Sequence, residues 1–229
     1  MESAWDGSHA PHEAVTSAPS FYRNRGKRIF DIVLASVMLL AAAPIFLLVM
    51  ALITVFGGGA PIFAHTRVGR SGQPFACLKF RSMCPDAEER LAAILAADPA
   101  AAAEWAADAK LTNDPRVTRL GRFLRKSSLD ELPQLVNILR GEMSLVGPRP
   151  VTLDELDRYG AGRSSYLALK PGLTGPWQVD GRNDISYDAR VALDVGYART
   201  VGFRRDLGIV LRTGLSVLKL IGSLDPLES

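Results

Sequence analysis

Apolar and polar positions divide this chain into unlike stretches. Residues 1 to about 22 are rich in Ser, Ala, Pro and His and show no periodicity, the pattern of a disordered tail. No apolar run opens the chain where a secretory signal would have one. From Ile32 to Phe56 no residue is charged. As a helix this run covers about 37 Å, enough for a bilayer core of about 30 Å. A single span is one reading. Pro44 at its midpoint and the flanks support another: Arg23, Arg25, Lys27 and Arg28 precede it, and Arg67, Arg70, Lys79 and Arg81 follow, with no acid between Asp31 and Asp86. Basic flanks favour the cytoplasm, and a proline inside a helix removes a backbone bond and bends it. A re-entrant hairpin broken at Pro44 brings both flanks back to one side.

Beyond Gly57-Gly58-Gly59 the pattern shortens. Pro61–Ala64 and Phe75–Phe80 have strand character around the turn residues 69–74, which predicts a hairpin. The alanine-rich stretch 86–110, with Pro99 inside it, predicts two short helices. Over 116–126 basic residues recur, and helical spacing would line up Arg116, Arg119 and Arg122 as either a solvated face or a phosphate-binding stripe. Between 203 and 220, Leu207, Val210, Leu211, Leu215 and Leu218 alternate at helical spacing with Arg205, Arg212 and Lys219. That amphipathic helix either lies on a membrane surface or packs on the core of the protein.

Composition narrows the classes. The 229 residues suffice for one domain with a real core, and 22% charged residues are too many for a polytopic membrane protein. The net charge of +3 gives no reason to expect a nucleic-acid partner. Two cysteines, Cys77 and Cys84, exclude a disulfide scaffold, and three histidines exclude a histidine-rich metal centre.

Three segments carry candidate chemistry. In 127–135, Ser128 with Glu131 fits a capping box, and Pro133 suits the first turn of a helix starting near Asp130. The same residues offer adjacent carboxylates, with Arg125 and Lys126 just upstream, for phosphate and a divalent cation. In 141–150, Pro148 and Pro150 preset the backbone around Arg149, which is either a stiff surface loop or a rigid phosphate contact. The stretch 170–184 is a glycine-rich loop containing Trp177 and suits binding.

Five ordered blocks, Lys27-Arg28-Ile29-Phe30-Asp31, Leu78-Lys79-Phe80-Arg81-Ser82-Met83, Ser128-Leu129-Asp130-Glu131-Leu132-Pro133-Gln134, Gly147-Pro148-Arg149-Pro150 and Pro171-Gly172-Leu173-Thr174-Gly175 followed by Trp177-Gln178, resemble the monotopic bacterial phosphoglycosyl transferases from about residue 26 to 220. The short form looks most like the exopolysaccharide galactosyl- or glucosyl-1-phosphate transferases. The resemblance implies an α+β, predominantly helical fold. It divides the chain into a tail (1–22), a re-entrant membrane helix hairpin (23–56) and a small cytoplasmic catalytic domain with amphipathic interfacial helices (57–229). It implies that Asp130 is the nucleophile of an Asp130–Glu131 dyad, attacking the β-phosphate of a UDP-sugar, releasing UMP and passing the sugar phosphate to undecaprenyl phosphate. It implies Mg2+ at Asp130 and Glu131, and phosphate contacts at Arg125 and Arg149. By extension Lys79, Arg81 and Arg116 are expected to bind substrate. Where the family often has Ser-Pro at the helix break, this chain has Ala43-Pro44. The expected location is the cytoplasmic face of the bacterial inner membrane. Self-association as a homo-oligomer is compatible with the sequence. A UDP-N-acetyl sugar donor, or a non-enzymatic membrane scaffold, is the alternative.

Overall fold

The computed structural model describes residues 21–108, 111–180 and 185–222. Most of the expected tail, and the 181–184 end of the glycine-rich stretch, lie outside them. The first long element, α1 (Lys27–Phe56), follows a π-helical turn at Tyr22–Gly26. Its most apolar window has a mean hydropathy of 2.8, so it is long and apolar enough to cross a membrane. Helical backbone runs through Pro44 without interruption. The expected division into two separate helices at that proline is therefore absent; a proline costs one backbone bond, which flanking turns can absorb.

One narrow stripe of α1 touches the rest of the protein. Asp31, Ala35, Val49 and Ile53 are buried, at helical spacing on both sides of Pro44. Ala35, with Leu34, Met38 and Leu39, joins the main core of Leu135, Ile138, Met143 and Leu145. Val49 and Ile53, with Phe46 and Met50, join a second core of Phe80 and Leu124. Leu132 packs against both cores. Away from the stripe, Val33, Val37, Leu40, Leu47, Leu48, Val55 and Phe56 are exposed.

Polar contacts hold the amino-terminal end of α1 to the domain. Lys27 Nζ donates to Asp206 (2.6 Å) and Arg28 to the carbonyls of Ile138 and Leu139 (2.5 and 2.8 Å). Asp31 accepts from the Ser144 hydroxyl and the Leu145 N–H, both at 3.0 Å.

The hairpin forms as expected, with a longer first strand. β1 (Ile62–Val68) pairs antiparallel with β2 (Pro74–Phe80), Ile62 opposite Phe80. The alanine-rich stretch gives α2 (Ala87–Ala97) and α3 (Pro99–Asp108). Next comes α4 (Arg119–Lys126), capped by the Thr118 hydroxyl. Arg116 precedes α4, so the three-arginine helical stripe does not form.

A 3₁₀ turn at Leu129–Glu131 leads into α5 (Gln134–Arg140), four residues later than the helix start expected near Asp130. Asn137 of α5 is fully buried and clasps β2 like a backbone strand. Its amide accepts from the Leu78 N–H (3.0 Å) and donates to the Ala76 carbonyl (2.8 Å).

Two short parallel strands were not legible in the sequence: β3 (Ser144–Val146) and β4 (Gly172–Thr174). The crossover between them holds α6 (Leu153–Asp157) and α7 (Arg163–Leu167). Part of the expected glycine-rich loop is thus β4, followed by α8 (Pro176–Asp180). The strands approach so closely that a Cβ on Gly172 would lie 2.1 Å from the Gly147 nitrogen. The chain ends in α9 (Tyr187–Arg199) and α10 (Phe203–Gly222). On α10, Asp206 and Ile209 face the core, while Phe203, Leu207, Leu211 and Leu215 form an exposed apolar row four residues apart. The amphipathic helix therefore packs part of its apolar residues on the core and leaves this row exposed.

Candidate active site

α4 ends at Ser127, whose hydroxyl returns to the Phe123 and Leu124 carbonyls. Ser128 then adopts φ 60°, ψ 14°, a left-handed conformation rare for a residue with a Cβ. This reversal places Leu129 and Leu132 against the second core and leaves Asp130 and Glu131 between them in the 3₁₀ turn. The expected capping box does not form, because the Ser128 side chain makes no cap hydrogen bond. Glu131 turns instead to β2, where Lys79 Nζ donates to it at 2.8 Å, each side chain about a third exposed.

Asp130 is raised above the usual carboxylate range, first by burial. Lys79 opposes that rise, Glu131 adds to it and Arg125 opposes it. Arg125 is steadied by an Nε donation to the Ser82 hydroxyl (2.9 Å). Contact of α4 with Ser82 at Gly121 keeps it there, since a Cβ on Gly121 would meet the Ser82 carbonyl oxygen at 1.9 Å. Lys79, Arg125 and the dyad therefore share one electrostatic neighbourhood. Burial pushes the Cys77 thiol up to about 11, so it is no thiolate nucleophile near neutrality. Lys79, Arg67 and Arg149 oppose that rise and Glu131 adds to it.

β3 leads into Gly147-Pro148-Arg149-Pro150 and β4 into Gly175-Pro176-Trp177, so the two parallel strands present Arg149 and Trp177 side by side. The Arg149 guanidinium lies 5.8 Å from the Trp177 ring centroid and that of Arg190, on α9, lies 4.8 Å from it. Nothing in the residue pattern singles out Arg190; only the fold brings it to Trp177.

Two expected residues are placed differently. Arg116 is buried and held by Asp114 through two bonds of 2.8 and 2.7 Å, with its guanidinium over Trp105. Arg81 donates to the Ala60 carbonyl (2.7 Å) and lines a cavity of about 280 Å³ with Leu52, Ile53, Phe56 and Arg119 at the carboxyl end of α1.

Among the described residues no group of three or more His, Cys, Asp or Glu could enclose a metal ion. The donor set at the dyad is two adjacent carboxylates. That set fits Mg2+, which takes one or two carboxylates and completes its shell with water and substrate phosphates.

Residues 22–220 match the family model described as bacterial sugar transferase. The chain is 53% identical over 187 residues to the exopolysaccharide production protein ExoY of Rhizobium meliloti, covering 82% of this chain and 83% of that one. It is 51% identical over 197 residues to the undecaprenyl-phosphate galactose phosphotransferase of Salmonella typhimurium, covering 86% of this chain but only 41% of that longer protein. It is 41% identical over 201 residues to the UDP-glucose:undecaprenyl-phosphate glucose-1-phosphate transferase of Caulobacter vibrioides, covering 84% of this chain and 69% of that protein.

Proposed function

Because this chain belongs to the bacterial sugar transferase family, we propose that it moves a hexose-1-phosphate from a UDP-sugar to undecaprenyl phosphate and so initiates an exopolysaccharide. The observation that carries the reading is Asp130, a carboxylate on a strained turn beside the Lys79–Glu131 pair and Arg125. A carboxylate oxygen can act as a covalent nucleophile at phosphorus, and the surrounding cations neutralise phosphate charge. In the first step the Asp130 oxygen bonds to the β-phosphorus of the donor. The bridging phosphoanhydride bond breaks and UMP leaves with its oxygen. In the second, a phosphate oxygen of the lipid attacks the same phosphorus and Asp130 departs as carboxylate. Lys79 holds Glu131 in place and, with Arg125, offsets charge that gathers at the dyad. Arg149 is assigned to donor phosphate. Asp130 and Glu131 would hold Mg2+, which when bound supplies further charge neutralisation. Arg81, on the cavity beside α1, is assigned to the lipid side of the site; the Asp114 pair leaves Arg116 a structural part.

Topology belongs to the same proposal. Both ends of α1 belong on the cytoplasmic side of the inner membrane, with Pro44 as the deepest point of a bent but continuous helix. Docking of residues on both sides of Pro44 onto one domain supports this, because a simple span would carry one end away from it. Galactose and glucose stand first as donors, since the relatives named above carry those sugars in their names.

The test is UMP release by the purified protein in nanodiscs with Mg2+ and undecaprenyl phosphate, across UDP-galactose, UDP-glucose and UDP-N-acetyl sugars. UMP and lipid-linked hexose phosphate are expected with one of the first two. Product only from N-acetylated donors would change the sugar, and no UMP from any donor would leave the scaffold reading.

A further inference from the structure

Arg149 and Arg190 crowd one indole, with no ion-paired carboxylate on either among the described residues. Their guanidinium carbons lie 5.8 and 4.8 Å from the Trp177 centroid, hence no more than about 11 Å from each other. Elsewhere in the molecule, Arg67, Arg90, Arg116 and Arg163 each have a carboxylate at 2.9 Å or less. Among the described residues, neither Arg149 nor Arg190 forms an ion pair. The Arg190 Nε is moreover buried with no hydrogen-bond partner, a costly state for a charged donor.

The nearby acid does not relieve this. Asp194, one turn along α9, is 2% exposed and accepts from the Tyr159 hydroxyl at 2.8 Å. Burial raises its carboxyl to about 7, against hydrogen bonds from the Tyr159 hydroxyl and the Arg149 backbone, so near neutrality it carries only about half a negative charge. One buried acceptor, Gln178 Oε1, also lacks a partner among the described residues. The indole attracts each cation but does not neutralise either. Two planar guanidinium groups, with Trp177 between them or beneath them as a spacer, are the arrangement that the paired oxygens of phosphate groups complete. Trp177 is itself only 5% exposed. Its ring is occupied by the arginines and is not offered to a nucleobase.

We propose that Arg190 binds donor phosphate and acts with Arg149 across Trp177 as a two-guanidinium clamp for the diphosphate of the nucleotide sugar. This rests on the UDP-sugar reading for the identity of the donor, but the clamp itself requires only a diphosphate. The clamp orients the donor so that its β-phosphorus faces Asp130, while the base and the sugar are recognised elsewhere.

Binding separates the clamp from a merely structural stack. The probes are inorganic pyrophosphate, UDP and uridine, titrated calorimetrically into the full-length protein in nanodiscs. In Arg190→Met, the side-chain stem still covers Trp177 but the charge is gone. Pyrophosphate and UDP should each bind at least about tenfold more weakly, with uridine affinity unchanged. The donor KM should rise by a similar factor, with kcat affected less. Pyrophosphate affinity within twofold of wild type would overturn the clamp. If Arg190→Met does not fold, Arg190→Lys keeps the charge and loses the fork, and unchanged pyrophosphate affinity there would overturn it equally. Wild-type protein that binds pyrophosphate through Arg190 but never UDP would sustain the clamp and remove the UDP-sugar reading.

Discussion

Lys79 binds Glu131 and leaves Asp130 without an ion pair among the described residues. Two adjacent acids thus receive different environments from one lysine: Glu131 is held, while Asp130 is half-buried and left available to a substrate. Asp130→Asn keeps the shape and removes the attacking charge, so UMP release should fall by at least about a thousandfold, with an unchanged melting curve. Asp194 gives a prediction about stability. Its unfolded value is near 4 and its folded value about 7. Between those pH values the folded chain keeps a proton that the unfolded chain has lost. Stability therefore falls as pH rises through that window, by no more than about 4 kcal/mol. Asp194→Asn removes the titration, so the melting point of the variant relative to wild type should be higher at pH 8 than at pH 5. An equal difference at both would show that burial does not hold the proton.

Close approach of β3 and β4 is the feature at element scale on which the pairing of Arg149 with Trp177 depends. Gly172→Ala would bring a Cβ against the Gly147 backbone, where no side chain can swing aside. Unfolding stability should drop by at least about 2 kcal/mol. Donor KM should rise even in the folded fraction, as Arg149 and Trp177 part; unchanged KM in a less stable enzyme would separate the strands from the site. Sequence pattern revealed the long elements because period and length announce them: α1, the β1–β2 hairpin, and the two helices around Pro99. It did not reveal β3 and β4, since three residues are too few to show alternation. The dyad was legible from its adjacent acids, yet the same residues also spell a capping box. The left-handed Ser128 and the reach of Lys79 across 52 residues remove the capping box. Arg190 had no motif to mark it, because its meaning lies in a ring contact made by the fold.

At the scale of the molecule, two apolar surfaces remain uncovered. One is the exposed side of α1, and the other is the α10 row of Phe203, Leu207, Leu211 and Leu215. Phe203 also packs edge-on against Phe30 and Tyr22, which joins the start of α1 to the start of α10. A bilayer surface covers both if the flanks of α1 stay on one side. Cysteine labelling tests that topology: Asn24→Cys should react with an impermeant maleimide only after cells are permeabilised. Labelling of intact cells would show a true span. Pro44→Ala, which restores the missing backbone bond, should increase the fraction labelled from outside.

The ion pair between Lys27 and Asp206 spans 179 residues of chain. A ribosome adding 5–20 residues per second needs roughly 10–35 s to supply the second partner after the first. Throughout that interval the newborn Lys27 has no Asp206 carboxylate to meet. The Arg28 guanidinium likewise waits for the last carbonyls of α5. The amino-terminal end of α1 can therefore complete its docking only after α10 has been made. A chain cut after α9 would leave the anchor lysine without its carboxylate and expose an unfinished core to quality-control proteases. Nor is α1 an exchangeable cassette, since a foreign helix of equal hydropathy would lack the lysine, arginine and aspartate that the domain is built to receive.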